Sequence, residues 1–296
     1  MTTIRRMLTF LAVALACAAA GQASAQSPPR FRVGVTGSSG IEPIADADRL
    51  AAWGADYLEP SLARITALSD ADFEAARAKA RSSRIPVEAA NSFVPGSVRV
   101  TGPEADRAAI RAYVEKALAR AEALGIKVVV FGSSGARNVP EGFSRDKAWE
   151  QLRDFLSLCA DVIQGRRFGM VIAIEPLRRQ ESNIVNTAAE GLRLAREVNR
   201  PQVRLLVDFY HLAVENEDPD VLLAARDMLV HVHIAEPTER RLIRDESEDR
   251  RLGRFFANLR TVGYRGRISV EGRVTDPSTD IPASLGFLRA MADKYR

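Results

Sequence analysis

One unit recurs along this chain, and that repetition limits its fold more than any single motif. From about residue 30 onward a short, β-rich apolar run is followed by a polar or Gly/Pro loop and then by apolar residues at helical spacing. The apolar runs are 31–35, 57–58, 87–89, 128–131, 171–175, 204–208, 230–234 and 267–271. Between them, 105–124 carries Ile110, Tyr113, Val114, Ala117 and Leu118 on one helical face, with Gly125 as a stop. Ser69-Asp70 and Ser144 read as helix N-caps. Eight such units in about 265 residues fit a closed (β/α)8 TIM barrel, which usually needs about 250. An open doubly wound sheet would place a phosphate-binding glycine turn after its first strand. The run from Gly34 to Gly40 lacks the dinucleotide spacing, and no acid is read as closing the second strand to hold a ribose. We therefore read that run as a βα loop at a barrel mouth, and residues 30–296 as a single barrel domain.

The first 25 residues read differently. Arg5 and Arg6 precede an apolar stretch from Met7 to Ala20, and Ala23-Ser24-Ala25 supplies a small-residue cleavage site. The stretch is shorter than the roughly 20 residues a spanning helix needs, so residues 1–25 are expected to be a cleaved signal peptide rather than an anchor. Arg5-Arg6-Met7-Leu8 resembles a twin-arginine signal, although Ile4 stands where Ser or Thr is usual. The mature chain is then exported, periplasmic or secreted, with no stable membrane insertion. Cleavage lowers the formal charge from +4 to +2, too little basic excess for a nucleic-acid surface. It also removes Cys17 and leaves Cys159, which cannot form an internal disulfide and sits among Leu156, Leu158 and Val162 as a packing residue. Trp53 and Trp149 read as core, and Phe93 as a pocket wall.

The chemistry concentrates in the second half, where four successive strands end in a metal-binding side chain: Glu175, Asp208, His233 and Glu271. Alternation turns Ile174, Val207, Val232 and Val270 outward to the helices and these four toward the axis. One layer deeper lie Ala173, Leu206, His231 and Ser269. Active sites of such barrels form at the C-terminal ends of the strands. Three converging buried carboxylates cost several kcal/mol each, as a general order of magnitude, unless something compensates. One divalent cation does so directly. The donor set suits Mn, Mg or Co, with Zn as an alternative. His231 is read as a residue beneath the centre that hydrogen-bonds one of the ligand carboxylates.

Four segments, Ile174-Glu175-Pro176-Leu177, Val207-Asp208-Phe209-Tyr210-His211, His231-Val232-His233 and Val270-Glu271, resemble the xylose-isomerase-like superfamily of sugar phosphate isomerases and epimerases, and within it the ketose 3-epimerases. That resemblance implies the same four metal ligands. It implies Glu175 and Glu271 as an acid/base pair on opposite faces of a sugar, and substrate contacts from Glu181 and His211. The family's substrate-binding arginine stands six residues after the histidine ligand. Here Glu239 holds that place, so we assign the role to the next residue, Arg240. The charged segment 240–251 and the absence of a histidine after Phe131-Gly132-Ser133 are further departures.

The expected reaction is divalent-metal-dependent isomerisation or epimerisation of a ketose or keto-sugar, through proton abstraction beside a carbonyl. The alternatives are a lyase or dehydratase acting on a keto-sugar or keto-glycoside, and a sugar-binding barrel without turnover. A multi-zinc DNA-repair nuclease is disfavoured, since the chain has three histidines, His211, His231 and His233. The expected partner is a small-molecule sugar, with no nucleic acid; no oligomeric state is assigned.

Overall fold

The structure, a computed structural model, describes residues 31–37 and 41–295. The expected signal peptide and Ser38–Gly40 lie outside the described residues. Eight strands run parallel: β1 (Arg32–Thr36), β2 (Tyr57–Glu59), β3 (Ala89–Ala90), β4 (Val128–Phe131), β5 (Val171–Ile174), β6 (Val203–Asp208), β7 (Leu229–Ile234) and β8 (Arg267–Val270). They form one sheet in the order β2-β1-β8-β7-β6-β5-β4-β3. Its two ends meet through the isolated bridges Leu58↔Val87 and Ser61↔Asn91, and the Leu58 N–H donates to the Pro86 carbonyl at 2.9 Å. The expected barrel is therefore present, with a β2–β3 seam thinner than its other joints.

The alternation holds as predicted. Ile174, Val207, Val232 and Val270 are buried in the large apolar layer between strands and helices. Ala173 and Leu206 instead join Tyr57, Ala89, Val128 and Val130 in a separate cluster inside the barrel. Because the strands are parallel, all their N-terminal ends lie on one floor, where Glu88 accepts from both Arg32 and Arg267. Their C-terminal ends make the mouth. The chain reaches β1 from that floor, since Arg32 is the first residue of β1.

Helix punctuation follows local chemistry. Ser69 Oγ accepts from the Asp72 N–H and opens Asp70–Ser82; Ser144 Oγ accepts from the Lys147 N–H and opens Arg145–Arg166. The helix expected over 105–124 runs from Arg107 to Ala123, because Asp106 accepts from the N–H groups of Ala108 and Ala109 and so fixes the start. Gly125 follows it at φ +82°, the left-handed stop that a glycine accepts without strain.

Several expectations need correction. Gly34 belongs to β1 rather than to a mouth loop. A Cβ there would fall 2.4 Å from Tyr57 Cζ, so this glycine makes room for an aromatic ring inside the barrel. The third strand is Ala89–Ala90, one step later than 87–89 and only two residues long. An acid does close the second strand, namely Glu59. Phe93, expected at a pocket wall, is wholly buried and packs against Phe131 and Phe155. Trp53 and Trp149 are half-buried, and Trp149 Nε1 donates to Glu197 at 2.7 Å. Cys159 is buried as expected, and burial pushes its thiol far above the usual range, leaving it inert.

Candidate metal centre

Each of the four predicted ligands is delivered by the end of a strand. Glu175 and Glu271 stand one residue beyond β5 and β8, yet each is held by one more ladder bond, to the carbonyls of Phe131 and Ile234 at 3.2 and 3.1 Å. Asp208 ends β6 and also caps the helix Phe209–Val214: Oδ1 accepts from the Tyr210 N–H at 2.9 Å. That bond leaves Oδ2 directed elsewhere. His233 lies near the end of β7, wholly buried, with Nδ1 at 3.0 Å from Glu175 Oε1 and 3.3 Å from Glu271 Oε2. One donor atom from each of the four residues lies within 4.8 Å of the others.

Whether this set fits a cation is decided by its charges and orphans. Asp208 Oδ2 is buried without any hydrogen bond. Burial, together with the charges of Glu271 and Glu175, pushes Asp208 up to about 7 against the pull of Arg240. Burial likewise raises Glu175, and the Glu271 charge adds to it. Glu271 is also buried, but His233, Arg240 and the Asn91 amide outweigh that cost and hold it down at about 2. Two of the three carboxylates thus tend to take up protons where only His233 and Arg240 face them. A doubly charged ion supplies the missing charge and uses the orphaned oxygen. Three carboxylate oxygens and one imidazole nitrogen are a mostly hard donor set, and they fit.

The residues expected to contact substrate, Glu181, His211 and Arg240, lie beside these four. Arg240 adopts a left-handed φ of +56° and packs its guanidinium 4.6 Å from the Tyr210 ring centre. It bonds Glu181 Oε1 at 3.1 Å and Glu271 Oε2 at 3.0 Å. The exposed Glu239 pairs with Arg241 instead, so the displaced arginine and not the residue at the expected spacing reaches the centre. Glu181 also accepts from Arg178 Nε at 2.7 Å. His211 is buried, and burial with nearby Arg240 keeps its ring neutral. Its Nδ1 accepts from the Arg178 N–H at 3.2 Å, so the ring proton sits on Nε2, which has no hydrogen-bond partner and lies 3.5 Å from Asp208 Oδ2.

Several residues escaped the sequence reading. Glu59, wholly buried at the end of β2, is hydrogen-bonded to Nε2 of both His231 and His233 at 2.8 Å. The bond expected from His231 to one of the four ligands therefore goes to a fifth acid, because the ring lies a layer deeper. Tyr57-Leu58-Glu59-Pro60 repeats the pattern of Ala173-Ile174-Glu175-Pro176, and that likeness was the available signal. Asn91, two residues after the inward Ala89, donates to Glu271 Oε1 at 2.9 Å. Arg137 has no exposed surface and donates to the carbonyls of Phe131 and Glu175 at 3.0 and 2.9 Å, tying the ends of β4 and β5 together. Gly132, just after β4, leaves room for the acid: a Cβ there would lie 2.3 Å from Glu175 Oε2.

The sequence pattern of the xylose isomerase-like TIM barrel matches residues 47–291, most of the barrel. The chain belongs to that family. Among similar proteins, an L-ribulose 3-epimerase of Methylomonas sp. (strain DH-1) is 40% identical over 113 residues, 37% of this chain and 38% of that protein. A 3-dehydro-D-guloside 4-epimerase of Escherichia coli (strain K12) is 33% identical over 126 residues, 42% of this chain and 47% of that protein. These two matches span less than half the length of either relative. A D-psicose 3-epimerase of Agrobacterium fabrum is 26% identical over 229 residues, 76% of this chain and 77% of that protein. Among solved structures, a D-allulose 3-epimerase from Methylomonas sp. in complex with D-allulose superposes with a TM-score of 0.76 at 25% identity, covering 89% of this chain and 98% of that one.

Proposed function

We propose that this family member is a divalent-metal-dependent sugar epimerase or isomerase that moves a proton on the carbon beside the carbonyl of a keto-sugar. The observation that carries this reading is the convergence of Glu175, Asp208, His233 and Glu271 at one mouth, with donor atoms within 4.8 Å of one another. The epimerase names of its relatives support it. Glu175, Asp208, His233 and Glu271 would hold the ion, which when bound draws electron density from a hydroxy-carbonyl group and acidifies the carbon proton between its oxygens. Glu175 and Glu271 come from β5 and β8, so they approach a sugar from different sides. One removes the proton from its face and the other returns a proton to the opposite face. His211 Nε2 and the Arg240 guanidinium offer hydrogen bonds to sugar oxygens, and Glu181 orients Arg240. Mn, Mg or Co suits the donors best, with Zn as an alternative.

Export is part of the same proposal and rests on residues 1–25 alone. It favours an unphosphorylated sugar. The test is incubation of metal-loaded protein with keto-sugars in deuterated water. The expected product is an epimer or isomer carrying solvent deuterium, and Glu175→Gln and Glu271→Gln should each lose about 10²-fold or more in rate. Release of water or an aglycone in place of an epimer would move the assignment to elimination.

A further inference from the structure

We propose that Glu59 is a positioning residue of the metal centre: it selects the tautomer of His233 whose Nδ1 lone pair faces the ion. This deepens the metal-dependent reading above and rests on it. A neutral imidazole carries one N–H, and whichever nitrogen keeps it cannot be a ligand. His233 turns Nδ1 toward Glu175 and Glu271 on the mouth side and Nε2 toward Glu59 Oε1, at 2.8 Å, on the floor side. The tautomer is therefore decided by what Glu59 can accept or donate.

Every neighbour of that carboxylate is able to donate a hydrogen bond to it. Oε2 accepts from His231 Nε2 at 2.8 Å and from Ser269 Oγ, and Tyr57 O–H donates in turn to Ser269 Oγ at 2.6 Å. Glu59, His231 and His233 are all without exposed surface, and Tyr57 and Ser269 are equally buried, so these bonds are closed to bulk solvent. A buried acid surrounded only by donors stays an acceptor on both oxygens. His233 then keeps its hydrogen on Nε2 and leaves Nδ1 bare. His231 braces the acid from below: its own Nδ1 has no partner, so its hydrogen also belongs on Nε2. Glu59, His231 and His233 also bring donor atoms together closely enough to hold an ion; with hydrogen on both Nε2 atoms their 2.8 Å contacts are hydrogen bonds, and an ion there would displace those hydrogens.

Glu59→Gln keeps the size of the side chain and breaks this logic. The amide must present its NH2 to one of the two imidazoles. If it faces His233, the hydrogen moves to Nδ1 and the ligand is lost. If it faces His231, that ring must place a hydrogen on a buried Nδ1 with nothing to receive it.

The test has two arms, both independent of turnover. With three histidines in the chain, long-range 1H–15N spectra of the zinc-loaded protein resolve each ring. His233 is expected to show protonated Nε2 and metal-shifted Nδ1. Competition with a fluorescent chelator then gives zinc affinity, and Glu59→Gln should weaken it about 10- to 100-fold. Ser269→Ala, which removes a bond to the other carboxylate oxygen, Oε2, without changing what faces His233, should weaken it far less. Zinc binding by Glu59→Gln as tight as in the parent, or a loaded His233 with hydrogen on Nδ1, overturns the inference and leaves the metal centre standing. A parent protein that binds no divalent ion overturns both. If Glu59→Gln does not fold, the spectrum of the parent still decides.

Discussion

The side of the centre next to Glu175 has no room for a side chain at position 132, where a methyl group would fall within 2.3 Å of the carboxylate oxygen. Arg137 pins the Glu175 backbone from behind, so the acid can escape only by swinging its side chain away from His233. Gly132→Ala should therefore displace Glu175 by about 1 Å and lower kcat by about 10²-fold, with the melting temperature of the metal-free protein nearly unchanged. Steady-state kinetics beside a thermal melt checks this, and unaltered kcat would refute it. The same scale shows what a sequence reveals of such a site. Asp208, His233 and Glu271 were legible because each stands at or near the end of an apolar strand long enough to show which residues face inward. Glu59 ends a strand of three residues and Asn91 follows one of two, both too short to establish an alternation. Arg240 was found only as the neighbour of the expected position, because the positive φ that turns it inward is not written in residue spacing.

Elements of secondary structure carry double duties here. Asp208 is at once the cap of the helix Phe209–Val214, through Oδ1, and a proposed ligand through Oδ2. Asparagine caps about as well as aspartate, so Asp208→Asn should keep the metal-free protein at least as stable as the parent while weakening divalent-ion binding. Asp208→Ala should in addition cost about 1 kcal/mol of stability relative to Asp208→Asn, the usual value of a lost cap. Denaturant melts paired with metal titration separate the two duties. The β2–β3 seam gives a second expectation. Ala89–Ala90 pairs with β4 in register but meets β2 only through bridges, whereas Val128 and Val129 pair with both β3 and β5, and β4 is laddered to β5 along its whole length. Amides of residues 89–91 should exchange with solvent sooner than those of 129–131. This seam is also where the sequence was hardest to read, since Pro86 breaks the run and alanines carry little strand preference. β5 to β8, rich in Val, Ile and Leu, were found within a residue or two of their ends.

For the molecule as a whole, an ion bound only by the folded state adds stability by mass action, about 2.7 kcal/mol at a hundred times its dissociation constant. In a domain of this size that corresponds to a rise of about 5–10 °C in Tm. Manganese should produce such a shift in the parent, EDTA should reverse it, and a variant lacking Asp208 and His233 side chains should show neither. Scanning calorimetry measures all three. If the leader is removed as proposed, the intact mass of protein recovered from the exported fraction will lack residues 1–25.

The path of the polypeptide into β1 has a practical corollary. Phe31 adjoins the base of the cylinder, at the end away from the acids and histidine. Resin coupled to the chain just ahead of Phe31 would grip the protein by its underside and leave the opening turned toward the bulk liquid. The proposed sugar turnover should then be as fast in immobilised protein as in free solution.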